Sequence, residues 1–311
     1  LVGGIGMFIA FTLAVLSFDV SLSSYRLLFA GALILVVVGV LDDFRELSPV
    51  QRFGAQIATG LLMTLGAGIE LQDFGYLISS GWVVSLGILA TPLTLFATIG
   101  VINAVNMSDG IDGLAASLVL VSVGALVAVT WRGGAFEAMG ILILLAAVVL
   151  AFLLFNLRLH GTALVFMGDA GSMFLGFVLA WFLIRFSQGE EALLAPVTAL
   201  WFLALPLIDA VSMMLRRVRI GRSPFLADRA HFHHILLAAG FTARQTLALM
   251  LLLAFAAAAV GLAGEYLGVA EHWMFLGFMG LFALHFWAIS RGWRVKRFLN
   301  RRLVHHSEPN G

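Results

Sequence analysis

Apolar runs of roughly 17–20 residues recur along the chain, each closed by a short polar stretch. They cover residues 2–18, 25–41, 53–69, 84–102, 114–130, 139–155, 171–186, 193–215, 246–262 and 273–289. About 20 helical residues cross the hydrocarbon of a bilayer. No water there can satisfy a backbone group, so each run is expected to hydrogen-bond within itself as a helix. The pattern predicts an all-α, polytopic membrane helix bundle of ten spans, a single integral-membrane domain over residues 1–311.

Composition agrees. The chain is 61% hydrophobic and only 11% charged, more apolar surface than a soluble domain needs. It has no cysteine, which excludes disulfides, thiolate chemistry and Cys-based metal sites. A net charge of +1 excludes a strongly basic nucleic-acid binder. The start lacks the positive region and cleavage site of a signal peptide.

Charge orients the spans. Loops after the even-numbered spans and the tail carry 15 of the 18 Lys and Arg, leaving Arg26, Arg132 and Arg185 on the other side. The positive-inside rule makes the first side cytoplasmic. The basic tail, 291–311, interleaves Trp293 and Phe298 and reads as a cytoplasmic flank drawn to anionic lipid. The opposite loops hold scattered acids, among them Glu265 and Glu271, that read as solvated connectors.

Four polar clusters fall on the basic side. In the stretch 103–114, Asn103, Asn106, Asp109 and Asp112 recur every third position, a drifting stripe on one side of a helix. Gly110 and Gly113 clear room beside it for a ligand or another backbone. Such groups at a membrane edge are costly unless they bind something; the plainer reading is a turn capped by Ser108 or Asp109.

Asp42-Asp43 closes the second span, where a helix C-terminus disfavours anions. Paired carboxylates tend to share a cation or a proton; the alternative is a charge pair balanced by Arg45 and Arg52. Gly168-Asp169-Ala-Gly-Ser172 opens the seventh span. Free N–H groups at a glycine-framed helix start suit a phosphate, and Asp169 suits its Mg²⁺, although a capped turn has the same letters.

Asp228-Arg229-Ala-His231-Phe-His233-His234 lies in the eighth loop. Three histidines in four positions admit a metal site, phosphate or sugar contacts alongside Arg229, or plain surface residues. Oxygen ligands elsewhere and the absence of cysteine favour anion contacts. Asp209 sits inside the eighth span after Pro206, which is expected to kink it. That acid supports the site or serves a structural partner. Carboxylates, amides, a helix start, Arg and His on one face form an inventory for Mg²⁺-assisted phosphoryl transfer on a lipid-borne substrate.

In order and spacing, Asp42-Asp43 with Leu47-Ser-Pro49, the 103–114 stretch, Phe166-Met-Gly-Asp169-x-Gly-Ser172 and His231-x-His233-His234 resemble the polyprenyl-phosphate N-acetylhexosamine-1-phosphate transferases. The similarity runs essentially from Leu1 to Arg302. Phe232 interrupts the histidines, as in the branch that uses N-acetylglucosamine rather than the one that uses phospho-MurNAc-pentapeptide.

The resemblance implies a reaction. Undecaprenyl phosphate attacks the β-phosphorus of UDP-GlcNAc, giving undecaprenyl-diphospho-GlcNAc and UMP. This is the first lipid-linked step of an O-antigen or other lipopolysaccharide-type polymer. It implies Mg²⁺, with Mn²⁺ as a substitute, held by Asp169 and the amide oxygen of Asn106. Asp109, Asp112 and Asn156 would contact substrate, Asp112 at the uracil. Arg229, His231, His233 and His234 would hold the pyrophosphate and sugar. Asp42 or Asp43 would be the general base or organise the lipid phosphate. Another UDP-N-acetylhexosamine, a one-step or a covalent two-step route, and a homodimer all stay open.

The resemblance also implies a bacterial inner-membrane protein with a cytoplasmic active site. Family members begin with one further span and a basic loop, so the chain reads as N-terminally truncated, with eleven spans at full length. The competing class is an ion-coupled transporter. Transporters place their acids near the midplane in paired halves, whereas these acids sit at one face and the halves share no motif.

Overall fold

A computed structural model of the chain describes residues 2–18, 22–157, 162–190, 192–221, 223 and 231–305, with residue 22 and residues 292–305 described by backbone alone. The elements in order are α1 (Gly3–Ser17), α2 (Arg26–Arg45), α3 (Pro49–Leu61), α4 (Ala90–Met107), α5 (Leu114–Arg132) and α6 (Phe136–Asn156). Then follow α7 (Gly168–Arg185), α8 (Pro196–Phe202), α9 (Ala204–Arg219), α10 (Phe232–Ala238), α11 (Ala243–Leu267) and α12 (Glu271–His305). Among the described residues the β pairing consists of two isolated bridges in the loop before α4.

Every predicted span overlaps one of these helices, but the count of ten does not carry over intact. Among the described residues, seven helices are long and apolar enough to cross a membrane, or eight if α8 and α9 form one span bent by 86°. The first span is only 15 residues long. The third is a 13-residue helix that runs into a π-helical turn at Leu62–Gly66. The bend in the eighth lies at Leu203, three residues before Pro206. Pro206 sits in the first turn of α9, where its missing N–H breaks no helical bond.

The bundle is organised around α7, whose residues Ala170 to Ile184 are all buried. It packs against α1, α2, α4 and α5. In lipid, burying apolar surface drives helix association weakly, and close van der Waals packing between small residues takes over. At three contacts of α7 a glycine, on a neighbour or on α7 itself, stands where a side chain would strike backbone. A Cβ at Gly4 would meet Gly171, one at Gly39 would meet Ala170, and Gly176 of α7 lies against Ile102 of α4. Two of these contacts fall at the N-terminal end of α7, so the backbone beside Asp169 is fixed by neighbouring backbone. Outward, Leu13, Leu154, Phe255 and Leu284 stay exposed, as expected of lipid-facing surfaces.

The acids read as solvated connectors on the opposite side are partly engaged. Glu265 Oε2 accepts from Ala195 N at 3.0 Å and from the Thr198 hydroxyl at 2.6 Å, closing the start of α8. Glu271 accepts from Tyr76 N at 3.2 Å.

Candidate active site

The end of α2 is built by its own sequence. Glu46 takes a left-handed conformation, φ 48°, and stops the helix. Ser48 and Gln51 form a capping box, with Pro49 at the first turn of α3. Asp42 holds this turn: its Oδ1 accepts from Leu47 N at 2.7 Å, and its Oδ2 lies 3.1 Å from Arg52 Nη1. The charge pair with Arg52 foreseen as an alternative therefore exists, for Asp42.

Its neighbour does something else. Asp43 Oδ1 accepts from Asp169 N at 2.9 Å, and its carboxylate also takes the N–H of Ala170. Amides at the start of α7, which the sequence offers to a phosphate, are thus occupied by Asp43. Gly168, at φ +68°, lies so near that a side chain there would collide with the Asp43 carboxylate. Asp43 Oδ2 is buried and has no hydrogen-bond partner.

Asn106, at the end of α4, joins this pair to the rest. Its amide donates to Asp169 Oδ1 and, at 3.0 Å, to the Ser172 hydroxyl. After α4 the chain turns through Asp109 and Asp112 before Gly113, φ +78°, admits it to α5. Asp109 is exposed to the cleft, although protein crowds around its carboxyl. That crowding, then the like charges of Asp169, Asp112 and Asp43, pushes its carboxyl up to about 7. Asp112 is exposed on the same turn. Asn156 does not reach the cleft: its Oδ1 accepts from Gly113 N at 2.6 Å and its Nδ2 donates to Val165 O at 2.8 Å. The structure gives it the work of holding the α4–α5 turn against the segment before α7.

The histidines arrive on α10, a short helix that periodicity does not predict. His231 Nδ1 lies 3.0 Å from Asp209 Oδ2. The His231 and His233 rings stack at 5.9 Å and 4°, and His234 follows at 4.1 Å from His233. His233 is 1% exposed, and neither ring nitrogen has a hydrogen-bond partner. Burial, helped by His234 and His231, lowers it to about 4. Its ring lies against Gly110, where any Cβ would strike it, which explains the glycine in the acidic stretch. Arg229 lies outside the described residues.

A cleft of about 540 Å³ opens beside these groups, reached by Asn106, Asp109 and the histidines. Arg52, Asn106, Asp109, His231, His233 and His234 contribute polar lining, and Phe96, Ala97, Leu207, Val211 and Met214 apolar lining. Phe96 and Asn106 are ten residues apart on α4, about 15 Å along its axis, so the cleft leads from a charged end into the apolar body of the bundle. Pattern reading missed Gln56, which is buried on this wall and accepts from Asn103 Nδ2 at 2.8 Å. The signal available was a polar face on α3, with Arg52 and Gln56 four apart.

The structure therefore brings Asp42, Asp43, Asn106, Asp109 and Asp169 together, with Asp112 beside them and the histidines across the cleft. Among the described residues no three His, Asp or Glu side chains form a ready metal cage.

Residues 25–187 match the family described as glycosyl transferase family 4. The undecaprenyl-phosphate alpha-N-acetylglucosaminyl 1-phosphate transferase of Yersinia pestis is 40% identical over 303 residues, 97% of this chain and 83% of the relative. The protein of the same name from Escherichia coli strain K12 is 40% identical over 305 residues, covering 97% and 82%. That from Haemophilus influenzae is 38% identical over 304 residues, covering 97% and 85%.

Proposed function

The chain belongs to glycosyl transferase family 4, and from that premise we propose that it transfers N-acetylglucosamine 1-phosphate to undecaprenyl phosphate. The donor is UDP-GlcNAc. An oxygen of the lipid phosphate bonds to the β-phosphorus, the bond from that phosphorus to the bridging oxygen breaks, and UMP leaves with the electron pair. The observation that carries this reading is the cleft itself. One end gathers Asn106, Asp109 and the histidines, and the other is apolar, the shape required by a sugar nucleotide meeting the head of a long isoprenoid.

Mg²⁺ fits the donor set. Asp43 and Asp169 stand side by side, and Asp109, whose carboxyl is pushed up first by desolvation and then by the charges of Asp169, Asp112 and Asp43, completes a group of acids close together. Asp169 and Asn106 would hold the ion, which takes few protein oxygens and shares the rest of its shell with phosphates and water. When bound it neutralises the phosphates. Asp43 is the base in this reading, because its carboxylate is held against the start of α7 by Asp169 N, whereas Asp42 accepts from Leu47 N and pairs with Arg52 in the α2–α3 turn. His231, His233 and His234 face the pyrophosphate and sugar. The excess of arginine at this end of the bundle supports a site that faces the cytoplasm, in the inner membrane of a bacterium.

Protein in detergent, given UDP-GlcNAc, undecaprenyl phosphate and Mg²⁺, should release UMP and form a lipid-linked sugar diphosphate, and EDTA should stop it. Folded protein that releases no UMP from any UDP-N-acetylhexosamine would sink this reading; release from a different sugar alone would correct only the donor.

A further inference from the structure

Asp209 is a buried acid that the reaction as described does not use. It is 6% exposed, on α9. Its Oδ2 lies 3.0 Å from His231 Nδ1, and its Oδ1 accepts from Phe232 N at 3.0 Å, the first amide of α10. From α12, His285 Nε2 approaches Oδ1 to 3.7 Å, and the His285 ring meets Phe232 edge-on at 5.0 Å. One carboxylate thus ties three helices at the point where α10 enters the cleft.

An ionised carboxylate can only accept hydrogen bonds, so the proton on His231 belongs on Nδ1. The nitrogen left for a ligand in the cleft is then Nε2. A phosphate oxygen is also an acceptor. To meet it, Nε2 must carry a proton as well, which makes the ring an imidazolium flanked by two anions.

We propose that Asp209 is the positioning residue for His231: it fixes the tautomer and the start of α10, and so aims Nε2 at the phosphates of the donor. The inference rests on the transferase reading above. The ionisable groups acting on Asp209 are His231 on α10 and His285 on α12, and Asp209 in turn acts on His233.

A double-mutant cycle tests it on the full chain. Asp209→Asn keeps an accepting oxygen and removes the charge. It should raise the KM for UDP-GlcNAc about tenfold or more, with a smaller change in kcat, since a hydrogen bond to a charged group is at stake. In a His231→Gln background the same substitution should have almost no effect, because the residue it acts through is gone. Equal losses in both backgrounds, or an unchanged KM, overturn the proposal. If Asp209→Asn does not fold, ¹⁵N NMR of His231 in the unsubstituted protein decides. Nδ1 protonated without ligand, and both nitrogens protonated with UDP-GlcNAc, supports the proposal, and an unprotonated Nδ1 overturns it. An unsubstituted protein that releases no UMP would instead count against the transferase reading, and the NMR result would still stand on its own.

Discussion

The two sides of the candidate site are held by different physics. On one side α1, α2 and α4 close on α7 through glycines, backbone against backbone, and Asp43, Asn106 and Asp169 stand where those contacts are tightest. On the other, α10 is a two-turn helix tied at its start, through His231 and the Phe232 amide, to one carboxylate on α9. Close packing leaves almost no room for adjustment, whereas a polar tether fixes direction through a single side chain. The acidic side is therefore set by packed backbone, and the histidine side by one carboxylate and by the seat of the His233 ring against Gly110. A constellation that must balance several phosphate charges gains from being preorganised.

The largest test of this contrast is Asp169→Asn. On a side held by backbone the substitution should leave the fold alone, so UMP release should fall by about 10²–10³-fold while the melting temperature in detergent hardly moves. A parallel loss of stability would mean that Asp169 holds that side up. Next comes Gly39→Ala. A single methyl placed against the Ala170 backbone should destabilise by about 1–3 kcal/mol, with melting temperature and turnover dropping together. Unchanged melting would remove the close-packed side from the comparison.

The smallest effect concerns the other side. His233 is lowered to about 4 in the folded protein. Between that value and the ordinary value near 6.5 the unfolded chain binds a proton that the folded chain refuses. Stability is thus full above about pH 6.5 and lost as pH falls toward 4, by on the order of 1–3 kcal/mol. His233→Gln should flatten that slope in thermal melts taken across the range; an identical slope would show that His233 is not the source.

Much of the site was legible from residue order, because the acids, amides and glycines lie in short stretches whose letters carry their chemistry. Asn106, Asp109 and Asp169 are found where the motifs put them. What was not legible depends on partners far away in sequence. Nothing in Asp42-Asp43 tells which of the two will hold its own turn and which will cap α7, since that depends on Arg52 and on the approach of Asp169. Asn156 looks like a ligand-binding amide until Gly113 and Val165 claim both ends of it. The bend at Leu203 carries no proline of its own, and the apolar run passes through it, so periodicity reads one straight span. The ten-span count is not confirmed at α1 and α3 for a related reason: hydropathy measures apolar length but not where a helix changes to a π-turn or stops.

Asp43 carries two duties at once, since the carboxylate offered to the reaction also fastens the first amides of the central helix and fills the space left by Gly168. An inhibitor anchored on that side chain would press on a position the protein cannot exchange without unseating its core. That narrows the route by which resistance by substitution could arise.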